Sequence, residues 1–230
     1  MKRKLDFLNR LPATTRARLL DLSSQYLLLA GATLAVTDAP TGFVYFPADG
    51  VISLSPRIGA EYGPHVMLIG AESMLGAHVQ IGMAKSPLDA TVALAGSAHR
   101  IGAADYVRLL HHDSALRNLS QRATGSLLRN TALAAVCLHR HPLAARLARL
   151  LLELADRERH DVFSITHASL AGLLGARREG ISLQAELLQQ LGLIAYRRGR
   201  VTLVDTDGLK DRACLCYATA RLREAARWRN

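Results

Sequence analysis

Three consecutive charged side chains, Arg177, Arg178 and Glu179, open an apolar-periodic segment and have the chemistry to read DNA bases. A guanidinium such as that of Arg178 can donate two hydrogen bonds to O6 and N7 of guanine. A carboxylate such as that of Glu179 can accept one from N4 of cytosine. The segment therefore has the composition of a recognition helix, whose first residues reach base edges in the major groove.

A second cationic group, Arg197, Arg198 and Arg200, surrounds a glycine. Short apolar runs at 193–196 and 201–204 flank it, which predicts a β-hairpin with the arginines at its tip. Such a tip fits a wing that lies along DNA phosphates and positions the protein without reading sequence. A merely solvated hairpin end is the alternative interpretation.

Two helices joined at an angle are needed to hold these charges. Thr166 is a good N-cap residue and predicts a short helix over 168–174, which Gly175 ends because glycine takes the left-handed conformation without strain. Only Gly175, Ala176 and Arg177 separate it from the second helix, a spacing typical of a helix-turn-helix. One face of the second helix is apolar and consists of Ile181, Ala185, Leu188 and Leu191.

The composition agrees with a globular protein that binds an anionic polymer. The chain has 230 residues, 50% of them hydrophobic and 21% charged, enough for one large domain or two modest ones. The net charge is +10, with twenty Lys/Arg against twelve Asp/Glu in residues 105–230 and nine against seven in 1–104. This cationic second half favours nucleic acid or a membrane surface, an Arg-rich solvated surface being the alternative. Aromatic residues, at 5%, are too few for stacking on single-stranded nucleic acid.

The first half of the chain is patterned as a compact antiparallel β-roll. From 27 to 103, Gly and Pro recur at close spacing between short segments of β character. The predicted strands are 42–46, 51–54, 65–69 and 90–94.

A long helical segment follows the predicted roll. From Ala104 to His139 apolar residues recur at helical spacing, which predicts one helix or two helices that meet at Asp113 or Gly125. A single helix of this length would run about 50 Å, too long to be buried by a small roll, and so predicts pairing with a second subunit. Pro142 then marks a break before the C-terminal domain.

Residues 164–204 begin SITHASLAGLLGARRE, continue through Leu-Gly-Leu-Ile and end Arg-Gly-Arg-Val-Thr-Leu-Val, and they resemble the DNA-binding domain of the Crp/Fnr family of bacterial transcription regulators. Residues 46–53, FPADGVIS, resemble a roll segment of the same family. The resemblance implies an α+β fold with an N-terminal antiparallel β-roll of the cyclic-nucleotide-binding type, a long dimerisation helix and a C-terminal winged helix-turn-helix. We expect N-terminal helices and the roll in 1–104, the dimerisation helix in 105–140 and the DNA-binding domain in 141–230.

The family's DNA-contacting positions carry over residue by residue. Arg178 and Glu179 match the base-reading pair, whereas the third position, often Arg, is Leu183 here, so the family's usual target sequence does not follow. Leu183 can touch a thymine methyl, Arg177 can supply another contact, and Thr166 matches the capping threonine, which can also meet a phosphate. The residues expected to contact DNA are Thr166, His167, Arg177, Arg178, Glu179, Ser182, Leu183, Arg197, Arg198 and Arg200.

The resemblance also indicates what the roll lacks. Members that bind cyclic AMP hold the ribose with a Glu and the cyclic phosphate with an Arg-Ser pair, where this chain has Ala77, Leu88 and Asp89. A phosphate beside Asp89 without an arginine partner is disfavoured by like charge and desolvation, so we expect no cyclic-nucleotide binding. Members with an iron-sulfur cluster need several cysteines near the N-terminus, and the first cysteine here is Cys137.

Cys214 and Cys216 could bind a metal or be oxidised, but their spacing matches no established site. Further candidate ligands lie in the second half, at His111, His112, His139 and His141. We expect structural cysteines, and neither a metal nor another cofactor.

Two other classes of function are alternatives. A cupin-like metal enzyme would need clustered ligands in the roll, where candidate residues are singly placed. These are His65, His78, His99, Glu61 and Glu72. A winged helix can also be a protein-interaction module, which the salt dependence of binding would distinguish from DNA binding.

The sequence thus predicts a regulator without enzymatic activity that binds pseudo-palindromic double-stranded DNA as a homodimer through the 105–140 helix. RNA polymerase is the expected protein partner, and the effector stays open. The absence of a secretion signal or an apolar stretch long enough to span a bilayer favours a cytoplasmic protein with no membrane partner.

Overall fold

The first half of the chain folds into an antiparallel β-roll, as predicted. The computed structural model describes residues 6–227. The strands of the roll are β1 (Ser24–Leu28), β2 (Thr33–Ala35), β3 (Phe43–Pro47), β4 (Val51–Ser55), β5 (Arg57–Ile58), β6 (Glu61–Tyr62), β7 (Met67–Ile69), β8 (Asp89–Leu94) and β9 (Gly96–Gly102). They pair in the orders β1-β9-β3, β2-β8-β4-β7 and β5-β6. The predicted strands correspond to β3, β4, β7 and β8.

Strand β7 is shorter than the sequence indicates. It begins at Met67 and not at residue 65, because the backbone N–H of His65 donates to the carbonyl of Leu173 at 2.9 Å. This hydrogen bond joins the end of the roll to the C-terminal domain.

Three helices cover the open side of the roll. They are α1 (Ala13–Asp21), α2 (Ala103–His112) and α3 (Ser114–Arg140). The long helical segment is therefore two helices, and the break is at Asp113, whose backbone is extended and whose carboxylate accepts from the N–H of Leu116 at 2.9 Å. Gly125 lies inside α3 without interrupting it. The hydroxyl of Thr15 in α1 donates to the same Asp113 carboxylate at 2.5 Å and fixes the corner.

The C-terminal half is a winged helix-turn-helix built around one buried helix. Its elements are α4 (Leu143–Glu158), β10 (Val162–Ser164), α5 (His167–Leu174), α6 (Arg178–Gln190), β11 (Ile194–Arg197), β12 (Arg200–Leu203), α7 (Thr206–Arg212) and α8 (Cys216–Arg227), with sheet order β10-β12-β11. Helix α4 starts after Pro142, as predicted, and is its core, with Leu147, Leu150, Leu151 and Leu154 at most 1% exposed. Within residues 6–227, no helix is both long and apolar enough to cross a membrane.

Helix α4 also packs against the roll. Val51, Leu68 and Leu94 of the roll belong to the same buried cluster as the apolar face of α4. Beside them the guanidinium of Arg157 pairs with Glu72 at 3.1 Å and donates to the carbonyl of Leu68 at 3.2 Å. The two halves of the chain thus share one hydrophobic core.

Candidate nucleic-acid interface

Helix α5 begins and ends at the residues that the sequence indicates. The hydroxyl oxygen of Thr166 accepts a hydrogen bond from the N–H of Ser169 at 3.0 Å and caps the first turn. Gly175 ends the helix with φ +58°, the left-handed conformation. Arg146 of α4 donates to the carbonyl of Leu174, where a cation is favoured by the helix dipole. Both ends of this short helix are therefore fixed by local contacts.

Helix α6 presents its first turn to solvent. Arg177 is the N-cap residue, Arg178 and Glu179 follow, and all three are exposed. Leu183, one turn further, is 63% exposed. A carboxylate at Glu179 is favoured there by the dipole of the helix. The turn thus offers two cationic groups, one anionic group and an apolar side chain on the outer surface.

The inner face of α6 anchors the helix in the core. Ile181, Ala185 and Leu188 are at most 4% exposed, as the spacing predicts. The prediction for Leu191 is wrong, because α6 ends at Gln190 and Leu191 is the C-cap residue, 43% exposed. Three buried residues therefore suffice to orient the charged turn outward.

His167 and Ser182 connect the two helices across the turn. Nδ1 of His167 lies 2.9 Å from the hydroxyl of Ser182, which donates to the carbonyl of Arg178 at 3.1 Å. Because a hydroxyl has one hydrogen, Nδ1 is then the donor to Ser182. Burial, followed by the charge of Arg178, lowers the pKa of His167 and favours the neutral imidazole. This pair sets the angle between α5 and α6.

The predicted hairpin is present, and its arginines lie at the tip. Strands β11 and β12 pair with Arg197 opposite Arg200. Arg198 (φ +51°) and Gly199 (φ +78°) form the turn, the pattern of a type I′ hairpin. All three arginine side chains are exposed, so the tip is a concentrated cationic surface.

The tip of the hairpin lies beside the start of α5. The N–H of Ile165, one residue before the N-cap Thr166, donates to the carbonyl of Gly199 at 2.8 Å. Strand β10 continues this pairing, with Ser164 opposite Arg200. The wing and the first helix therefore form one continuous surface.

Sequence reasoning missed the side chain that holds this surface together. The hydroxyl of Tyr196 donates to the carbonyl of Ile165 at 2.5 Å, and its ring packs on His167 with centroids 4.3 Å apart. Its N–H donates to the side-chain oxygen of Gln189 at 2.9 Å. The available signal was a single aromatic residue in a hairpin strand next to the arginines.

A family model for the Crp-like helix-turn-helix domain matches residues 145–212. The match runs from α4 to the end of α7 and includes both helices of the turn and the wing. The chain therefore contains a Crp-like helix-turn-helix domain. A domain of this family indicates a DNA-binding transcription regulator.

Solved structures of Crp/Fnr regulators have the same fold. A transcriptional regulator assigned to the family from Eubacterium rectale is 17% identical, with a TM-score of 0.68 over 90% of this chain and 97% of that one. FixK2 from Bradyrhizobium japonicum is 15% identical, with a TM-score of 0.71 over 84% and 98%. The c-di-GMP responsive regulator CLP from Xanthomonas campestris is 19% identical, with a TM-score of 0.67 over 84% and 99%. Comparison with curated protein sequences finds no match.

In the roll, a buried ion pair lies where the sequence resemblance expects the phosphate-binding residues. Asp89 is 1% exposed and accepts from Nε of Arg57 at 2.9 Å and from the N–H of Thr37 at 2.7 Å. The sequence analysis expected no arginine beside a phosphate at this position, whereas Arg57 lies there and is paired with Asp89. Arg57 was missed because it comes from β5, 32 residues earlier in the chain.

The histidines of the roll do not form a cluster. Nδ1 of His65 lies 2.6 Å from the carbonyl of Leu173, and Nε2 of His78 lies 2.8 Å from the hydroxyl of Thr41. In the part of the chain that the structure describes, the group able to hold a metal ion consists of Cys137, Cys214 and Cys216. The four candidate histidines of the second half are not part of it.

Proposed function

We propose that the chain is a sequence-specific regulator that binds double-stranded operator DNA as a homodimer. Its proposed parts are a sensor-like roll (1–104), a dimerisation segment (105–140) whose main helix is α3, and a DNA-binding domain (141–230). The observation that carries the proposal is the exposed charged turn of α6 beside the cationic wing. A positive surface next to a helix that fits the major groove is suited to duplex DNA.

The first turn of α6 supplies the base contacts in this proposal. Arg178 donates to guanine O6 and N7, and Glu179 accepts from cytosine N4. Leu183 packs on a thymine methyl, which selects a base by shape and not by hydrogen bonding. Arg177 adds a further contact, and Ser182, with His167, holds the helix at the angle that these contacts need.

The wing and the start of α5 supply the phosphate contacts. Arg197, Arg198 and Arg200 lie along one strand of the duplex, and Thr166 meets a neighbouring phosphate. Phosphate contacts position a protein on DNA but do not read sequence. We therefore expect these residues to set affinity and salt dependence, and α6 to set specificity.

The homodimer rests on an exposed stripe along α3. Leu128, Ala132 and Ala135 are exposed and follow one another at spacings of four and three residues, as a and d positions do in a coiled coil. Leu128 is 74% exposed and nearby Val136 is 53% exposed, although the other side of α3 packs on the roll. Pairing two such stripes would present two recognition helices to half-sites about 34 Å apart.

The roll is proposed not to bind cyclic AMP. Arg57 is already paired with Asp89, so a phosphate bound through Arg57 would compete with a buried carboxylate. Like charge and desolvation both oppose that exchange. Ala77 offers no carboxylate to the ribose. The effector, if one binds, has other chemistry.

The remaining partners follow from the proposed role in transcription. We expect the dimer to act with RNA polymerase in the cytoplasm, without a membrane partner. Leu183, Leu187 and Leu191 are exposed along α6 and its C-cap, so the salt dependence of binding has to distinguish DNA binding from a protein-interaction module.

The decisive experiment selects bound duplexes from a random double-stranded DNA pool at stated salt. We expect a two-fold symmetric motif for the wild-type protein. Arg178→Ala should cost about 1–3 kcal/mol of operator affinity and relax preference at one base position in each half-site.

The matched control is Arg108→Ala, which removes an exposed arginine, 74% accessible, from helix α2 of the roll. It should leave the motif and the affinity unchanged. Salt-sensitive binding with no enriched motif, or a motif that survives Arg178→Ala, would contradict the assigned recognition helix. Binding that ignores salt would favour a protein-interaction module.

A further inference from the structure

The three cysteines of the chain meet at one point. Cys137 lies near the end of α3, Cys214 in the loop between α7 and α8, and Cys216 at the start of α8. Their sulfur atoms all lie within 4.8 Å of one another, and those of Cys137 and Cys214 are 3.5 Å apart. Each residue is buried, between 4% and 6% exposed. Two distant parts of the sequence therefore converge on one small volume.

These separations are close to those around a thiolate-bound metal. A sulfur–metal bond of about 2.3 Å puts the sulfurs of a tetrahedral or trigonal site about 3.8–4.0 Å apart. The three sulfur atoms therefore need to move by about 1 Å or less to share an ion. Packing alone does not require three sulfur atoms to lie at these separations.

The surroundings of the cluster stabilise negative charge on sulfur. Leu133 and Ala145 pack against it, but so does the guanidinium of Arg149, which is buried and paired with Glu153 at 2.9 Å. Arg149 thus places a positive charge beside Cys137, whose sulfur lies 3.5 Å from that of Cys214. A thiolate, and not a thiol, is the form that binds metals.

We propose that Cys137, Cys214 and Cys216 bind one thiophilic metal ion with a filled d shell, of the Zn(II), Cd(II) and Cu(I) class. Three thiolates select soft ions over Mg(II) or Ca(II). A disulfide would use only two of the sulfurs, whereas the third lies at a similar distance. This site differs from the expectation of purely structural cysteines, because spacing along the sequence conceals the approach of Cys137.

The ion would join two functional parts of the molecule. One ligand comes from α3, and the other two from the segment that follows the wing and α7. Leu215, between the two C-terminal ligands, is 79% exposed, so the segment that carries these ligands lies at the surface. Ion binding thus fastens the end of α8 that carries Cys216 to the helix that we propose forms the dimer.

The test uses the reduced full-length chain in the absence of oxygen. Cd(II) is the probe, titrated while the ultraviolet sulfur-to-metal charge-transfer band is followed. We expect saturation at one ion per chain, and parallel titrations with Zn(II) and Cu(I), in competition with Cd(II), rank the natural candidates. Each of Cys137→Ser, Cys214→Ser and Cys216→Ser should weaken binding by more than about ten-fold, since losing a mere outer-shell partner costs 10–100-fold.

The matched control is His141→Gln, which alters a candidate ligand next to the end of α3 and outside the cluster. It should bind Cd(II) as the wild type does. A second measurement avoids variants that fold poorly: bound Cd(II) should slow alkylation of all three thiols in the wild-type chain.

Two results would overturn the proposal. One is alkylation at the same rate with and without Cd(II), or a charge-transfer band that survives Cys137→Ser in a folded variant. The other is a Cys137–Cys214 disulfide found by peptide mapping in a chain that binds no ion when reduced, which would identify a redox pair.

Discussion

Replacing Gly175 by alanine perturbs the turn of the helix-turn-helix at a single atom. Gly175 has φ +58°, and the left-handed conformation costs an L-residue roughly 1–2 kcal/mol. The added Cβ would lie 3.1 Å from Cβ and 3.3 Å from Cγ of Pro64, a rigid ring that would have to shift, for which overpacking adds about 1 kcal/mol. Alanine also lowers the conformational entropy of the unfolded chain, which offsets about 0.5 kcal/mol of the lost stability. The net expected loss is about 2 kcal/mol.

Gly172, three residues earlier, provides the control. It lies inside α5, and an added Cβ would have no atom within 4 Å. Gly172→Ala should therefore stabilise the fold by about 0.5–1 kcal/mol through helix propensity. In a chain of this size, Gly175→Ala should lower the thermal midpoint by about 4–8 °C and Gly172→Ala should raise it by about 1–4 °C.

Urea and thermal denaturation of the two variants beside the wild type measure this difference. A Gly175→Ala protein as stable as the wild type would refute the reasoning, because neither the strain nor the contact with Pro64 would then exist. Equal losses in both variants would refute it too, since they would mean that any side chain on α5 disturbs the fold.

The remaining predictions concern charge, protonation and assembly. Arg198→Asn keeps the left-handed turn, which asparagine tolerates, but should reduce the slope of log affinity against log salt by about 1 for all DNA sequences alike; a loss confined to the operator would contradict the phosphate role. His65 is buried, and desolvation lowers its pKa, so the folded chain binds fewer protons than the unfolded chain as the pH falls below about 6.5. The free energy of unfolding should therefore fall from pH 7.5 to pH 5.5, and it should fall less steeply in His65→Asn. The same pH dependence in both proteins would exclude His65 as its cause. Leu128→Glu should convert the dimer to a folded monomer in sedimentation, and a persistent dimer would place the interface elsewhere. Saturating cyclic AMP should leave the thermal midpoint unchanged, whereas a ligand at 100 times its Kd would add about 2.7 kcal/mol.

The parts of the site that follow local rules could be predicted from the sequence. Thr166 and Gly175 act through hydrogen bonds and dihedral angles within a few residues, so their roles in α5 are evident from residue type. The arginines of the wing flank a glycine that defines the turn. Leu191 shows the limit of periodicity, because a helical pattern does not indicate the residue at which the helix ends.

Contacts between distant segments could not be predicted. The pairing of Arg57 with Asp89 depends on how the short hairpin β5-β6 folds over the sheet, and no local signal reports it. Tyr196 can donate its hydrogen bond to the carbonyl of Ile165 only because β10 pairs with the wing. The convergence of Cys137 with Cys214 across 77 residues likewise depends on the packing of α3 against α8.

The shared core around α4 determines how the molecule can change shape. If the DNA-binding half turned as a rigid body, Val51, Leu68 and Leu94 would lose their apolar neighbours and face water, and uncovering even 200 Å² of such surface costs about 5 kcal/mol. The equilibrium between two orientations would then lie far to one side, and a signal molecule would need several thousand-fold preference for the rarer one to reverse it. We therefore expect one dominant arrangement of the recognition helix, and calorimetry should record one cooperative melting transition for both halves together.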